Sequence, residues 1–174
     1  MAGVNATVGS LLGFLHDGPQ SGWDLMETAR ARIGGFWSLT RSQVYRELAA
    51  MADAGLIVTD STGARDRRVY RLTDQGREEF RTWIARTPGE ENIRYPLLLT
   101  LAFARHLPPE RLAEFLTTHR ALHQARWDAY RLQDEQARAA GAGPLDLVTL
   151  DFGLRYERAV LDWFDGVGDL TGGA

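Results

Sequence analysis

The sequence contains no cysteine and no lysine, so its 20 basic residues are all arginine. Without cysteine the chain can form neither disulfide bonds nor thiolate metal sites. No apolar run approaches the roughly 18 residues that a membrane-spanning helix needs, and the first ten residues lack the features of a secretory signal. These absences predict a cytoplasmic protein without a membrane partner. Its 174 residues suffice for one or two domains with a real core.

A surplus of basic charge is also missing, because the net charge at pH 7 is −3. The acidity belongs to the second half: residues 1–87 hold 11 arginines against 10 acidic residues, whereas residues 88–174 hold 9 against 13. The first half is near neutral, although DNA-binding domains are often markedly basic. Any affinity for DNA must therefore come from a few well-placed arginines. The exclusive use of arginine suits bidentate contacts, but codon bias explains it more simply, because the arginines are spread over both halves.

The segment from Ser38 to Thr73 carries most of the information, and it begins with a predicted helix. One apolar stripe at intervals of three to five residues indicates that helix: Leu39, Val44, Leu48, Met51 and Leu56. Ser38 or Thr40 can cap its start. Gly55 is placed to end it, because glycine tolerates the left-handed conformation that often follows a helix.

Polar side chains gather near the N-terminal end of this helix. They are Thr40, Arg41, Ser42, Gln43, Tyr45 and Arg46. A recognition helix presents its base-contacting side chains at that end, where arginine pairs with guanine and glutamine with adenine. An ordinary amphipathic helix with a solvated polar face explains the same pattern equally well. The helix alone therefore does not decide the function.

A short hairpin with a basic tip is predicted to follow the helix. Residues 56–59 and 69–72 are β-favouring runs, separated by turn-forming residues. The tip carries three arginines in four positions, a placement that suits phosphate contacts: Arg65, Arg67 and Arg68. A solvated loop would look the same in isolation. The order of helix, glycine-terminated turn and basic hairpin is much more specific, and it predicts a winged helix-turn-helix.

Several runs follow the order and spacing of motifs in one known family. They are LLGFLHDGPQSGWDLMETA, FWSLTRSQVYRELAAMADAGLI and VYRLTDQGREEF in the first half, then YPLLLTLAFARHLPPERLAEFL and LDFGLRYERAVLDWF. In these runs the chain resembles the larger subfamily of PadR-family transcriptional regulators. Tyr45 and Leu48 match its Tyr-x-x-Leu, and residues 70–76 match its Tyr-x-Leu-Thr-x-x-Gly. Trp23 stands where tyrosine is usual in the Gly-Pro-x-x-Gly-Tyr run, an aromatic exchange that leaves the resemblance intact.

The predicted fold is mainly α with a small β-hairpin, in two domains. Residues 1–87 form the winged helix-turn-helix domain and residues 93–166 an α-helical dimerisation and effector domain, separated by TPGEEN. The other predicted helices run from Val8 to His16, Gly22 to Ile33, Gln75 to Arg86, Tyr95 to Arg105, Glu110 to Ala140 and Leu145 to Asp165.

Self-association is expected from the last two of these helices. Roughly 30 residues in one helix would span about 45 Å, more than a domain of this size covers alone. The last helix carries apolar residues on two faces, one represented by Leu147, Leu150 and Leu161 and the other by Val148, Phe152 and Tyr156. One face can pack within the chain, and the other most simply meets a second subunit.

Other chemistry is weakly represented. His119 and His123 have a spacing that can hold a metal, but without a third ligand surface or interface histidines are the better interpretation. No nucleotide, flavin or hydrolase motif occurs, so neither a cofactor nor an enzyme activity is expected. The resemblance implies that an aromatic or drug-like effector binds near the dimer interface. The candidate residues are Trp127, Phe152, Tyr156 and Trp163, although such residues are more often core.

The sequence thus predicts a homodimeric regulator, more a repressor than an activator, that binds an inverted-repeat operator in double-stranded DNA. A small-molecule effector would release it by changing the separation of the two recognition helices. Two alternatives remain open. One is a winged-helix protein-interaction module that never contacts DNA. The other is a small-molecule-binding or catalytic protein centred on the C-terminal half, for which no nucleophile–base pair is found.

Overall fold

A computed structural model describes residues 4–60 and 68–170, and the side chains of all of these except Asp60 and 168–170. The fold is mainly helical with one small antiparallel sheet, which confirms the predicted fold class. The helices are α1 (Ala6–Leu15), α2 (Gly22–Arg32), α3 (Arg41–Asp53), α4 (Asp74–Ile84), α5 (Pro96–Leu101), α6 (Pro109–Ala139) and α7 (Pro144–Leu170). The strands are β1 (Gln20–Ser21), β2 (Ile57–Asp60) and β3 (Val69–Leu72).

The chain divides into two compact units, one ending at Glu90 and the other beginning at Glu91. Among the described residues, none of the helices combines the length and the hydropathy required to cross a bilayer. The core of the first unit lies where α1, α2 and α3 pack together. Leu11, Leu12, Leu25, Val44 and Leu48 are fully buried there. The apolar stripe of α3 thus points inward and fixes which side of that helix remains outside.

The sheet has three strands in the order β1-β3-β2. Strands β2 and β3 form the predicted hairpin, with Ile57 opposite Leu72 and Asp60 opposite Val69. Strand β1 was not predicted, because two residues are too short to show a periodic pattern. It pairs antiparallel with β3 through Ser21 opposite Val69. The end of the hairpin that lies next to its loop is therefore tied directly to the start of α2.

Helix α3 begins and ends where its sequence predicts. Thr40 caps its start, and its C-terminal end is followed by Gly55 with a φ of +71°, in the left-handed region. Thr73 caps α4 in the same manner by accepting a hydrogen bond from the backbone N–H of Gly76. Capping side chains satisfy amide groups that have no partner in the first turn of a helix.

The second unit is built on α6 and α7. Helix α6 has 31 residues and α7 has 27, so both long helices are confirmed. The predicted helix from Tyr95 to Arg105 is wrong in its length. Helix α5 ends at Leu101, and a 3-10 turn, Ala104–His106, follows it. A run rich in apolar residues gives no periodic sign of where such a helix stops.

One face of α7 packs within this unit. Leu147, Leu150, Leu161 and Phe164 are buried on it, together with the acidic Glu157. The Nδ1 atom of His123 on α6 lies 2.5 Å from a carboxylate oxygen of Glu157. His123 is therefore part of a polar contact between α6 and α7, which gives the buried carboxylate of Glu157 a hydrogen-bond partner.

Candidate nucleic-acid interface

The N-terminal end of α3 is an exposed polar surface on a rigid support. Val44 and Leu48 are completely buried and Met51 is 1% exposed, so packing against the core fixes the inner side of the helix. Arg41, Ser42, Tyr45 and Arg46 are exposed, as is the capping residue Thr40. The structure thus brings the polar residues singled out in the sequence to one end of one helix, with Gln43 half-buried among them.

Gln43 has a structural role that the sequence analysis did not assign. Its Oε1 atom accepts hydrogen bonds of 2.9 Å from both the backbone N–H and the hydroxyl of Thr40. The backbone N–H of Gln43 donates in return to Thr40 Oγ1, at 3.3 Å. This is a capping box, and the Thr-x-x-Gln spacing is its sequence signal. Reading adenine would also require Oε1 as an acceptor, so base contact by Gln43 stays a prediction that competes with the cap.

Arg41 and Tyr45 form a second local arrangement. The guanidinium carbon of Arg41 lies 5.6 Å from the ring centroid of Tyr45, one turn further along the helix. An edge of the Tyr45 ring lies against the backbone of Gly22, at the first position of α2. Arg46 differs, because its Nη2 atom makes a 3.0 Å ion pair with Glu47. The two arginines therefore have different donors available to a ligand.

Gly22 is the residue that the sequence analysis missed. In the sequence, Gly22 indicates only a family motif and the start of a helix, without a role at the interface. The close approach of a side chain from α3 requires the tertiary structure to be seen. A glycine directly after a capping serine is the local signal.

The hairpin contributes one described arginine from its predicted basic tip. Arg68 is exposed and lies directly before the first residue of β3. Arg65 and Arg67 lie outside the described residues. The phosphate-binding role of these three arginines stays a prediction.

The predicted effector residues are placed on the two long helices of the second unit. Phe152 and Tyr156 stack one turn apart on α7, with ring centroids 6.3 Å apart and planes inclined by 15°. Trp163 instead contacts Phe164 edge-on at 4.8 Å, and the Arg131 guanidinium lies 4.9 Å from the ring centroid of Trp127. The structure therefore brings together Phe152 and Tyr156, while the two tryptophans have other aromatic or cationic neighbours.

Tyr156 has an unusual environment. Burial raises the pKa of its hydroxyl above the ordinary value, and a hydrogen bond with Tyr95 adds to this effect. The charge of the nearby Glu157 acts in the same direction. Tyr156 therefore stays a neutral hydroxyl, able to donate or accept a hydrogen bond, next to the exposed ring of Phe152.

Two family models match the chain in succession. The model described as "Transcriptional regulator PadR-like family" matches residues 11–82. The model described as "Virulence activator alpha C-term" matches residues 93–170. Between them they include all three strands, the whole of α2, α3, α5, α6 and α7, and most of α4.

Relatives and solved structures agree with these matches. The negative transcriptional regulator PadR of Bacillus subtilis is 27% identical over 170 residues, covering 91% of this chain and 93% of that protein. The crystal structure of Bacillus subtilis PadR in complex with operator DNA has a TM-score of 0.83 at 23% identity and covers 95% of this chain and 99% of that one. Its complex with p-coumaric acid has a TM-score of 0.72 at 24% identity, covering 94% and 95%. The solved structures show that the fold is shared.

Proposed function

This chain belongs to the PadR-like family of transcriptional regulators, and we propose that it is a homodimeric repressor that binds an inverted-repeat operator and is released by a small aromatic molecule. The observation that carries the proposal is that the polar N-terminal end of α3 is exposed, while the apolar side of the same helix is fully buried. The relatives of this chain are transcriptional regulators and not enzymes.

DNA binding is assigned to α3 and the hairpin. Arg41 and Arg46 extend from exposed positions on the first two turns of α3, where a recognition helix meets base edges. Thr40, Ser42, Gln43 and Tyr45 complete this surface, and Arg65, Arg67 and Arg68 contact flanking phosphates. The direction of regulation follows the Bacillus subtilis relative, which is described as a negative regulator. The name of the second family model mentions an activator, so activation is the competing outcome.

Dimerisation is supported by apolar surface that the second unit leaves uncovered. On the face of α7 opposite its buried residues, Val148 is 58% and Phe152 64% exposed. Helix α5 has no buried residue, although five of its six residues are apolar, and Leu99 is 67% exposed. Isolated exposed apolar residues are ordinary, but contiguous patches mark interaction sites. A second copy that presents the same surface, related by a two-fold axis, covers the exposed apolar residues of both α5 and α7.

Effector release is assigned to the same surface. Phe152 and Tyr156 offer a flat apolar ring next to a neutral hydroxyl, a combination that suits an aromatic ligand with one polar group. The Bacillus subtilis relative was crystallised with p-coumaric acid, a molecule of that class. An effector that binds one arrangement of the dimer more tightly shifts the population away from the form whose recognition helices fit half-sites about 34 Å apart.

The test begins with a duplex selected by the full-length protein from a random pool. We expect an inverted repeat to be enriched and to bind at least tenfold more tightly than a scrambled duplex of equal length, while a single half-site binds much more weakly. Adding p-coumaric acid or a related phenolic acid should weaken binding to the inverted repeat. Failure to enrich any sequence, with no shift of duplex DNA even at low salt, would favour the protein-interaction module instead.

A further inference from the structure

Arg41, Tyr45 and Gly22 form a contact chain from the exposed end of α3 to the start of α2. We propose that Tyr45 is a positioning residue for sequence recognition: seated on Gly22, its ring holds the Arg41 guanidinium ready to read a base pair. The inference rests on the proposed function, since it assigns Tyr45 to support of Arg41 within the same DNA-binding surface. It also makes Gly22 a determinant of DNA recognition without itself contacting DNA.

Gly22 leaves room for the Tyr45 ring in its observed position, because it has no Cβ atom. A Cβ atom at this position would lie 2.8 Å from Tyr45 Cε1, 3.0 Å from Cζ and 3.1 Å from the hydroxyl oxygen. Contacts below 3.0 Å are not tolerated in packed proteins, so the ring would have to move. The requirement for glycine therefore comes from the close approach of the ring.

The seat is rigid. Ser21, directly before Gly22, caps α2 in a reciprocal capping box with Asp24. Ser21 is also 3% exposed and pairs with Val69 across the sheet. Two independent sets of hydrogen bonds thus fix the backbone on which the Tyr45 ring rests.

The ring in turn defines the position of Arg41. The two residues are four apart on α3, so their side chains lie on the same side of the helix. The neighbouring Val44 is fully buried and prevents α3 from rotating. With Tyr45 itself 41% exposed, the ring is supported along one edge and still accessible to the guanidinium at 5.6 Å.

A contact with a ring face preserves what base recognition needs from arginine. A guanidinium has five N–H donors in its plane, and guanine is read by two of them at once. A cation–π contact acts on the face of the group and leaves these donors free. It also restricts a flexible side chain before DNA arrives, which reduces the entropy lost on binding. Arg46, whose Nη2 atom is engaged by Glu47, does not have this arrangement.

The experiment is a double-mutant cycle on the full-length protein. Affinity is measured by fluorescence anisotropy for the duplex selected by the wild-type protein and for its scrambled counterpart. Tyr45→Leu should weaken binding to the selected duplex about five- to thirty-fold, because an exposed cation–π contact is lost at each of two half-sites. Tyr45→Phe should stay within about twofold, since it keeps the ring. In an Arg41→Ala background, Tyr45→Leu should add less than about twofold.

Gly22→Ala tests the other end of the chain of contacts. It should reduce affinity in the same direction as Tyr45→Leu, and the two changes together should lose little more than either alone. The reason is that leucine at position 45 lacks the outer ring atoms of tyrosine, which are the atoms that an alanine Cβ at position 22 would meet. Gly89→Ala is the matched control, because no atom lies within 4 Å of a Cβ built there. Thermal unfolding of each variant verifies that the fold is retained.

A second readout does not involve DNA. The side-chain N–H resonance of Arg41 should be displaced by the ring current in the free wild-type protein and in Tyr45→Phe, and should return to an ordinary position in Tyr45→Leu and Gly22→Ala. If Tyr45→Leu weakened DNA binding by the same factor in the Arg41→Ala background as in the wild type, the inference would be overturned and the proposed function would stay intact. An Arg41 side-chain resonance that keeps its position when Tyr45 is replaced by leucine would overturn it as well. If the wild-type protein enriches no duplex, the proposed function fails first.

Discussion

The exposed ring of Phe152 gives a direct prediction about self-association. A fully enclosed aromatic side chain buries about 150–250 Å², so the 64% of Phe152 that is exposed corresponds to roughly 130 Å². At about 25 cal per mol per Å², covering it gives ~3 kcal/mol per protomer and ~6 kcal/mol per two-fold dimer. This is an upper limit, because binding converts buried area inefficiently.

The perturbation is Phe152→Ala. We expect a loss of about a third of that limit, ~2 kcal/mol, which raises the dimer dissociation constant about thirtyfold. Sedimentation equilibrium over a range of protein concentrations measures this constant. The side chain is exposed in the single chain, so helix α7 and its packing on α6 should be unaffected. Circular dichroism and thermal unfolding verify this.

Arg158→Ala is the matched control on the same helix. Arg158 is exposed and makes an ion pair of 2.8 Å with Asp162, also exposed, and such pairs contribute less than about 1 kcal/mol. The control should leave the dissociation constant within about threefold. If Phe152→Ala leaves dimerisation unchanged, or if both variants weaken it equally, the exposed face of α7 is not the dimer surface.

Three further predictions concern the cap, the hairpin and Tyr156. Thr40→Ala should destabilise the first unit by about 1 kcal/mol in chemical denaturation, whereas Thr40→Ser should keep most of that stability, because its hydroxyl still caps α3; equal losses would refute the capping role. Arg68→Ala should weaken binding to selected and scrambled duplexes alike and lower the slope of log affinity against log salt by roughly one unit per contact; a sequence-dependent loss with an unchanged slope would contradict this. Burial raises the pKa of Tyr156, so this residue contributes stability that is present below the ordinary tyrosine value of 10.0 and is lost as pH rises above it. Tyr156→Phe should reduce this alkaline loss, and an unchanged pH dependence of stability would count against it.

The fold could largely be predicted from sequence because its elements carry local signals. Thr40 and Gly55 mark the two ends of α3, and its apolar stripe identifies the buried side. The two faces of α7 were also separable by periodicity, with Leu147 buried and Val148 exposed. Each of these features depends on residues within a few turns of one another.

The features that could not be predicted depend on contacts distant in sequence. Strand β1 exists only because residues 69 and 70 lie beside it, and the contact of Gly22 with Tyr45 joins two helices. Gln43 is a different case. Its Thr-x-x-Gln signal was local and readable, but an expectation of base contact displaced the simpler capping interpretation.

The central claim is that α3 reads bases through Arg41, and one measurement tests it most directly. Each base pair of the selected duplex is substituted in turn, and binding of wild-type and Arg41→Ala protein is measured by anisotropy. The wild-type protein should lose about 1–3 kcal/mol at one guanine-containing pair in each half-site. Arg41→Ala should no longer discriminate at these two symmetric positions and should discriminate normally elsewhere. A uniform loss at all positions, with the same preferences as the wild type, would show that Arg41 does not read sequence.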